Sequence, residues 1–268
     1  MPLTPPATDH PRAVATTLAV VGHEIEVAYG GQTALCCADF TIPLGALSVL
    51  IGSNGSGKST LMNAIAGLIE PVRGSLTILG RPAPADPAAV AYVLQATDAD
   101  GLLPLTVHEL VTMARFAGRG LLGRLDQADR HAVEQAITTM ELESVAQRRF
   151  SELSGGQRQR ALVAQGIAQQ ADILLLDEPM TGLDLVSRQR ILDVMQLERS
   201  AGRAVVMASH DLADAQVADH VVLLAGRVVA EGSPEHALTA EHLRDAYGHR
   251  YLDLDDPLGI VDDHHHHG

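Results

Sequence analysis

The chain has 268 residues, 46% of them hydrophobic and 19% charged, with 33 acidic against 19 basic side chains and a formal net charge of −14 at pH 7. That apolar content excludes a disordered chain and is enough for one compact unit or for a core carrying a subdomain. The acidic balance argues against a nucleic-acid partner, whose phosphates need a basic face. No apolar run approaches the ~20 residues of a membrane-spanning helix.

Residues 1–15 hold four prolines and read as a disordered lead-in. Leu18 to Val27 and Thr41 to Ile51 read as strands, separated by the turn signal Gly30-Gly31. The glycine-rich stretch from Gly52 to Gly57 leads into a helical pattern ending near Gly67. Strand signals recur at Ser75–Leu79 and Val90–Leu94, and Thr106 to Arg149 reads as helical. Beyond it, strands at Ile173–Leu176, Ala204–Ala208, Val221–Leu224 and Arg227–Ala230 alternate with helices at Leu185–Ser200 and from Asp211. Helices between buried apolar strands predict βα crossovers and a largely parallel sheet.

Gly52-Ser53-Asn54-Gly55-Ser56-Gly57-Lys58-Ser59 fits GxxxxGK[ST], with a strand before it and a helix after it. Glycines let successive backbone N–H groups wrap a phosphate at a helix N-terminus. Lys58 brings a point charge to the β- and γ-phosphates, and the Ser59 hydroxyl suits Mg²⁺. The strand Ile173–Leu176 runs into Asp177-Glu178, at the strand end where open α/β sheets bind ligands. There Asp177 suits Mg²⁺, and Glu178 is placed to polarise a water. By residue type alone, Ser154 reads as a helix cap, His210 as a structural hydrogen-bond partner and Tyr29 as a strand-end core residue.

Leu153-Ser154-Gly155-Gly156-Gln157 resembles the signature of ABC-type ATPases, and other landmarks of that family follow in order from about Leu18 to Tyr247. Tyr29 is similar to the aromatic that stacks on adenine, and Gln95 to the glutamine joining core and helical subdomain. Thr181-Gly182-Leu183-Asp184 resembles the D-loop, and His210 the switch histidine. The resemblance implies an α/β fold: a P-loop NTPase (RecA-like) core with an N-terminal antiparallel β portion and an inserted helical subdomain. The ATPase domain would span 16–250, the helical subdomain about 96–160, and an acidic, His-rich tail 251–268.

It further implies that ATP contacts Tyr29, Gly52, Ser53, Asn54, Gly55, Ser56, Gly57, Lys58, Ser59, Thr60, Gln95, Asp177 and Asp184. Ser59, Gln95 and Asp177 would hold Mg²⁺, with Glu178, His210 and Lys58 catalytic. Ser154, Gly155, Gly156 and Gln157 would meet the phosphate of a second copy, making a homodimer. Met180 stands where the family usually has Thr or Ser, which predicts a slightly looser loop with the carboxylates intact.

The Met113–Phe116, Arg119–Leu125, Ala164–Gln169 and Ala246–Gly248 segments resemble the metal-ion and iron-chelate uptake branch. The implied partners are an integral-membrane permease and an extracytoplasmic solute-binding protein, with the chain on the cytoplasmic face of the cell membrane. Zinc or manganese is the first cargo, and iron–siderophore or haem the second. An iron–sulfur-assembly ATPase is the alternative outside transport.

The tail carries His264, His265, His266 and His267 among aspartates. This run reads either as a weak metal site or as a solvated run or tag remnant. Cys36-Cys37, too few for a disulfide framework, point to a reducing compartment and read as plain buried packing.

Overall fold

The computed structural model describes residues 17–29, 31–95, 104–119 and 123–248. The expectations for residues 1–15 and for the tail, including His264 to His267, lie outside these residues. Two sheets organise the chain. The first is antiparallel, in the order β2-β1-β4-β5, from β1 (Leu18–Tyr29), β2 (Gln32–Pro43), β4 (Arg73–Ile78) and β5 (Arg81–Pro82). The second takes the order β10-β9-β3-β8-β7-β6. It comprises β3 (Leu47–Ile51), β6 (Val90–Val93), β7 (Ile173–Asp177), β8 (Ala204–Ser209), β9 (His220–Leu224) and β10 (Val228–Gly232), parallel except for β10.

Burial explains why the parallel strands are short continuous apolar runs. Every residue of β3 and β8 is buried, because both faces of the sheet are covered. Leu47, Val49 and Ile51 join one core with the helices, while Leu50 joins another with the antiparallel sheet and α1 (Lys58–Ile65). The expected strand from Thr41 to Ile51 is in fact two strands. Gly45, at a φ of 69°, turns the chain between β2 and β3 and sends them into different sheets.

The expected helical stretch from Thr106 to Arg149 is likewise broken, into α2 (Val107–Met113) and α3 (Gln127–Thr139). Each begins with its own capping box, Thr106 with Glu109 and Asp126 with Asp129. Both pack on α4 (Gly155–Ala168). Arg115 ties the three together. Its Nε donates to Asp129 Oδ1 at 3.0 Å, and its Nη1 donates to the carbonyls of Ala168 and Gln169 at 2.8 and 2.9 Å. A cation thus satisfies carbonyls that the end of α4 leaves open. Asp129 is fully buried and also pairs with Arg119 at 3.0 Å. The remaining helices are α5 (Leu185–Ser200), α6 (Leu212–Ala215), α7 (Pro234–Ala237) and α8 (Ala240–Tyr247). No helix among the described residues is long and apolar enough to cross a membrane.

Replacing Arg115 with Ala strips the buried Asp129 of one of its two cations and reopens two carbonyls. The expected loss is about 2–3 kcal/mol of stability, read as a lowered midpoint of thermal unfolding.

Candidate active site

The register of the parallel sheet brings four loops to one edge. Ile51 lies opposite Ser209, Asp177 opposite Ala208, and Val93 opposite Leu176. The residues just past these strands, Gly52, His210, Glu178 and Gln95, therefore stand in a row at the carboxyl ends of adjacent strands.

The Gly52–Gly57 loop runs straight from the buried end of β3 into α1. Gly55 and Gly57 adopt φ values of 79° and 101°. A Cβ at Gly57 would lie 3.2 Å from the Ala34 carbonyl, and one at Gly52 only 2.3 Å from the Leu224 carbonyl. Only glycine lets the loop pass between these walls. No side chain caps α1, so the first-turn amides remain available to an outside acceptor. Lys58 is buried, and its Nζ donates to the carbonyls of Gly52 at 2.7 Å and Ser53 at 3.1 Å. Burial pushes its ammonium below the ordinary lysine range, opposed by the Glu178 and Asp177 charges. An uncapped helix start, glycine-held amides and a desolvated cation make a receptor for phosphate groups. Ser53, Asn54, Gly55 and Ser59 are exposed, Thr60 is half-buried, and Ser56 is buried.

Opposite stands the acidic strand end. Asp177 Oδ2 accepts from the Tyr92 hydroxyl at 3.2 Å, a partner not evident in the sequence because it comes from the neighbouring strand β6. Burial first, then the Asp177 charge, drives the Tyr92 phenol far above its ordinary value. Glu178 has a φ of 45°, a left-handed conformation that is strained for a residue with a side chain. Its N–H donates to Ala208 O at 3.1 Å, Thr181 Oγ1 donates to its Oε2 at 3.2 Å, and His210 Nδ1 lies 3.4 Å from its Oε1. Glu178, Thr181, His210, Ser209 and Asp214 line a cleft of about 220 Å³. Met180 stands in this loop, where a slightly looser backbone was expected. Its thioether is buried in the core, and Thr181 provides the local hydroxyl bond.

Beneath His210 lies a network that sequence reasoning missed. Ser209 Oγ donates to Asp214 Oδ2 at 2.7 Å, and the Arg188 guanidinium closes on Asp214 Oδ1. Burial leads in pushing the Asp214 carboxyl up, while these two partners draw it back.

Ser59, Gln95 and Asp177 offer hydroxyl, amide and carboxylate oxygens, the hard donors that Mg²⁺ takes. Among the described residues no three His, Cys, Asp or Glu side chains are grouped to hold a metal. Such a sparse oxygen set suits a cation that keeps phosphate and water among its ligands. Gln95 is exposed just beyond β6, and Tyr29 is exposed at the end of β1 with Asn63 Nδ2 donating to its hydroxyl at 3.3 Å.

Ser154 to Gln157 stand elsewhere, at the start of α4. Ser154 Oγ accepts the Gln157 amide at 3.3 Å, and Gln157 Oε1 accepts the Ser154 amide at 3.0 Å, a complete capping box. A Cβ on Gly156 would lie 2.7 Å from Ser187 Oγ and 3.1 Å from Asp184 Oδ2. Asp184 caps α5 by accepting the Ser187 amide at 2.9 Å, which holds its carboxyl below the ordinary range. None of Ser154, Gly155, Gly156 and Gln157 lines the cleft around Glu178 and His210.

Residues 36–181 match the family model described as ABC transporter. The chain is 35% identical over 252 residues to the zinc transport system ATP-binding protein TroB of Treponema pallidum, covering 94% of this chain and 95% of that one. It is 34% identical over 243 residues to the chelated iron transport system membrane protein YfeB of Yersinia pestis, covering 89% and 81%. A solved structure of an ATP-binding subunit of an ABC transporter superposes with a TM-score of 0.71 at 27% identity, covering 86% of this chain and 93% of that one. The chain belongs to the ABC transporter family. Its fold is the P-loop ATPase fold expected from the sequence, and its activity is ATP hydrolysis.

Ser154→Ala removes one arm of the α4 capping box. It is expected to lower the stability of the nucleotide-free chain by about 1 kcal/mol, measured by urea denaturation with the slope unchanged.

Proposed function

We propose that this chain is the ATP-hydrolysing subunit of a bacterial importer of a transition-metal ion, zinc or manganese. It would drive a separate membrane permease from the cytoplasmic face, with a solute-binding protein delivering cargo from outside. The observation that carries the ATPase part is the row of loops at one sheet edge, with Lys58 on one side and Asp177, Glu178 and His210 on the other. The cargo rests on the likeness to a zinc system and on the uptake-branch segments. The likeness to a chelated-iron system favours iron–siderophore or haem as the second reading.

Tyr29 stacks on adenine, and Gly52 to Thr60 wrap the phosphates. On phosphate arrival Lys58 exchanges its bonds to Gly52 and Ser53 for bonds to the β- and γ-phosphates. Glu178 accepts a hydrogen bond from the attacking water and aims it in line at phosphorus. Thr181 and the Ala208 carbonyl keep that carboxylate turned into the cleft. His210 contacts the γ-phosphate and senses its departure through its contact with Glu178. Ser59, Gln95 and Asp177 would hold Mg²⁺, which would supply positive charge to offset that developing in the transfer. Ser154, Gly155, Gly156 and Gln157 face the nucleotide of a second copy. Their place beside Asp184, away from the chain's own cleft, supports this head-to-tail pairing. Gln95 and the helical subdomain, about 96–160, carry closure to the permease.

Glu178→Gln is expected to bind ATP as tightly as the unaltered chain and to accumulate as a dimer with ATP. Light scattering that shows a monomer at saturating ATP would refute the shared site. Lys58→Ala is expected to weaken ATP binding by at least ~100-fold, the worth of a desolvated charge on phosphate, measured by calorimetry. For the cargo, deleting the gene should selectively lower cell zinc or manganese under metal starvation, read by elemental mass spectrometry. A fall in iron alone would select the second reading.

A further inference from the structure

The adjacent cysteines are not buried packing, contrary to the sequence expectation: Cys36 is half-buried and Cys37 exposed. The register of the antiparallel sheet explains why. Ile25 pairs with Ala38 and Val27 with Leu35, so the single residue Glu26 opposes both Cys36 and Cys37. The two cysteines are the extra-residue step of a β-bulge on the edge strand β2, and Cys37 takes a φ of 48°. The bulge breaks the strand's alternation of faces and brings Cys36 Sγ to 2.7 Å from Cys37 Sγ.

This bulge is wired to the phosphate loop. The Cys36 amide donates to Gly226 O at 2.8 Å, and the Gly226 amide donates to Ser56 O at 2.8 Å. The preceding residues, Ala34 and Leu35, form the wall against which Gly57 turns.

We propose that Cys36 and Cys37 are a peroxide-sensitive dithiol whose closure to a disulfide weakens ATP binding through Gly226 and Ser56. The coupling rests on the nucleotide reading of the phosphate loop; the thiol chemistry does not. The exposed Cys37 sulfur, as thiolate, attacks one peroxide oxygen and becomes a sulfenic acid as the O–O bond breaks and the first water leaves. The Cys36 sulfur then attacks the Cys37 sulfur, the S–O bond breaks, the second water leaves and the S–S bond forms. In total two thiols are oxidised and one hydrogen peroxide is reduced to two waters. Neighbouring Cα atoms lie about 3.8 Å apart, closer than relaxed disulfides prefer, so the ring pulls on the peptide at Cys36 and a small dithiol reopens it readily.

The test uses the full chain, reduced and then exposed to hydrogen peroxide. Intact mass should fall by the mass of two hydrogens with both cysteines blocked to alkylation, and a dithiol should restore both. ATP affinity of the oxidised chain should be about two- to tenfold weaker, the worth of one disturbed backbone hydrogen bond, and should recover on reduction. Cys37→Ser should keep the reduced chain's affinity in peroxide. Oxygen adducts, or chains linked to one another, would overturn the disulfide. Equal affinity in the oxidised and reduced forms would overturn the coupling. A reduced chain that binds no ATP would overturn the nucleotide reading and the coupling with it, while the mass still decides the dithiol chemistry.

Discussion

A helix that begins without a side-chain cap leaves its first amides to be satisfied from outside, and the structure around Lys58 is built to preserve that deficit. Ordinarily a Ser, Thr or Asp closes such an end, as Thr106, Asp126, Ser154 and Asp184 do elsewhere in this chain. At α1 the cap position is Gly57 in a left-handed conformation, which contributes no acceptor. A buried ammonium beside it adds a second unfavourable positive charge, pulled below its ordinary range by desolvation. Both costs would be relieved by an anion, so a phosphate group bound there would stabilise the fold by mass action.

Keeping such a site open demands rigid walls. The loop leaves a strand with both faces buried, so its first residue cannot drift. Its glycines pass between the Leu224 carbonyl on one side and the Ala34 carbonyl on the other. Those walls belong to the end of β9 and to β2, elements from both sheets. The antiparallel sheet thus braces the loop as well as carrying Tyr29. The bulge at Cys36 and Cys37 lies in that bracing strand, where a local change of shape reaches Ser56 through a single intervening residue.

What could be read from the sequence follows from the range over which each rule acts. The glycine-rich turn between a strand and α1, the buried strand ending at Asp177 and the helix from Leu185 to Ser200 are local patterns, and each is found where it was read. The Ser154 cap was legible for the same reason. The split of Thr41–Ile51 was not, because apolar residues continue through Leu44 and only the exchange of sheets makes Gly45 a turn. Arg115 read as a family mark without a mechanism, since its carbonyl partners lie at the far end of α4. The cysteine bulge depends on strand register, which one strand's pattern does not disclose. Tyr92 and Asp214 became visible only when β6 and α6 were set beside the acidic strand end.

The short run from Glu178 to Asp184 links two regions that the fold otherwise keeps apart. One end is fixed to the sheet by the Glu178 amide on Ala208 and to His210 by its carboxylate. The other end caps α5, and Asp184 and Ser187 leave no room for a side chain on Gly156 at the start of α4. Met180 is anchored in the core between them, so the run has little slack. A change in the hydrogen bonding of Glu178 therefore has a short route to Gly156 through the buried Met180 and the exposed Thr181, Gly182 and Asp184. The strained φ of Glu178 is a conformation held against its own preference by the Ala208 carbonyl, the Thr181 hydroxyl and His210.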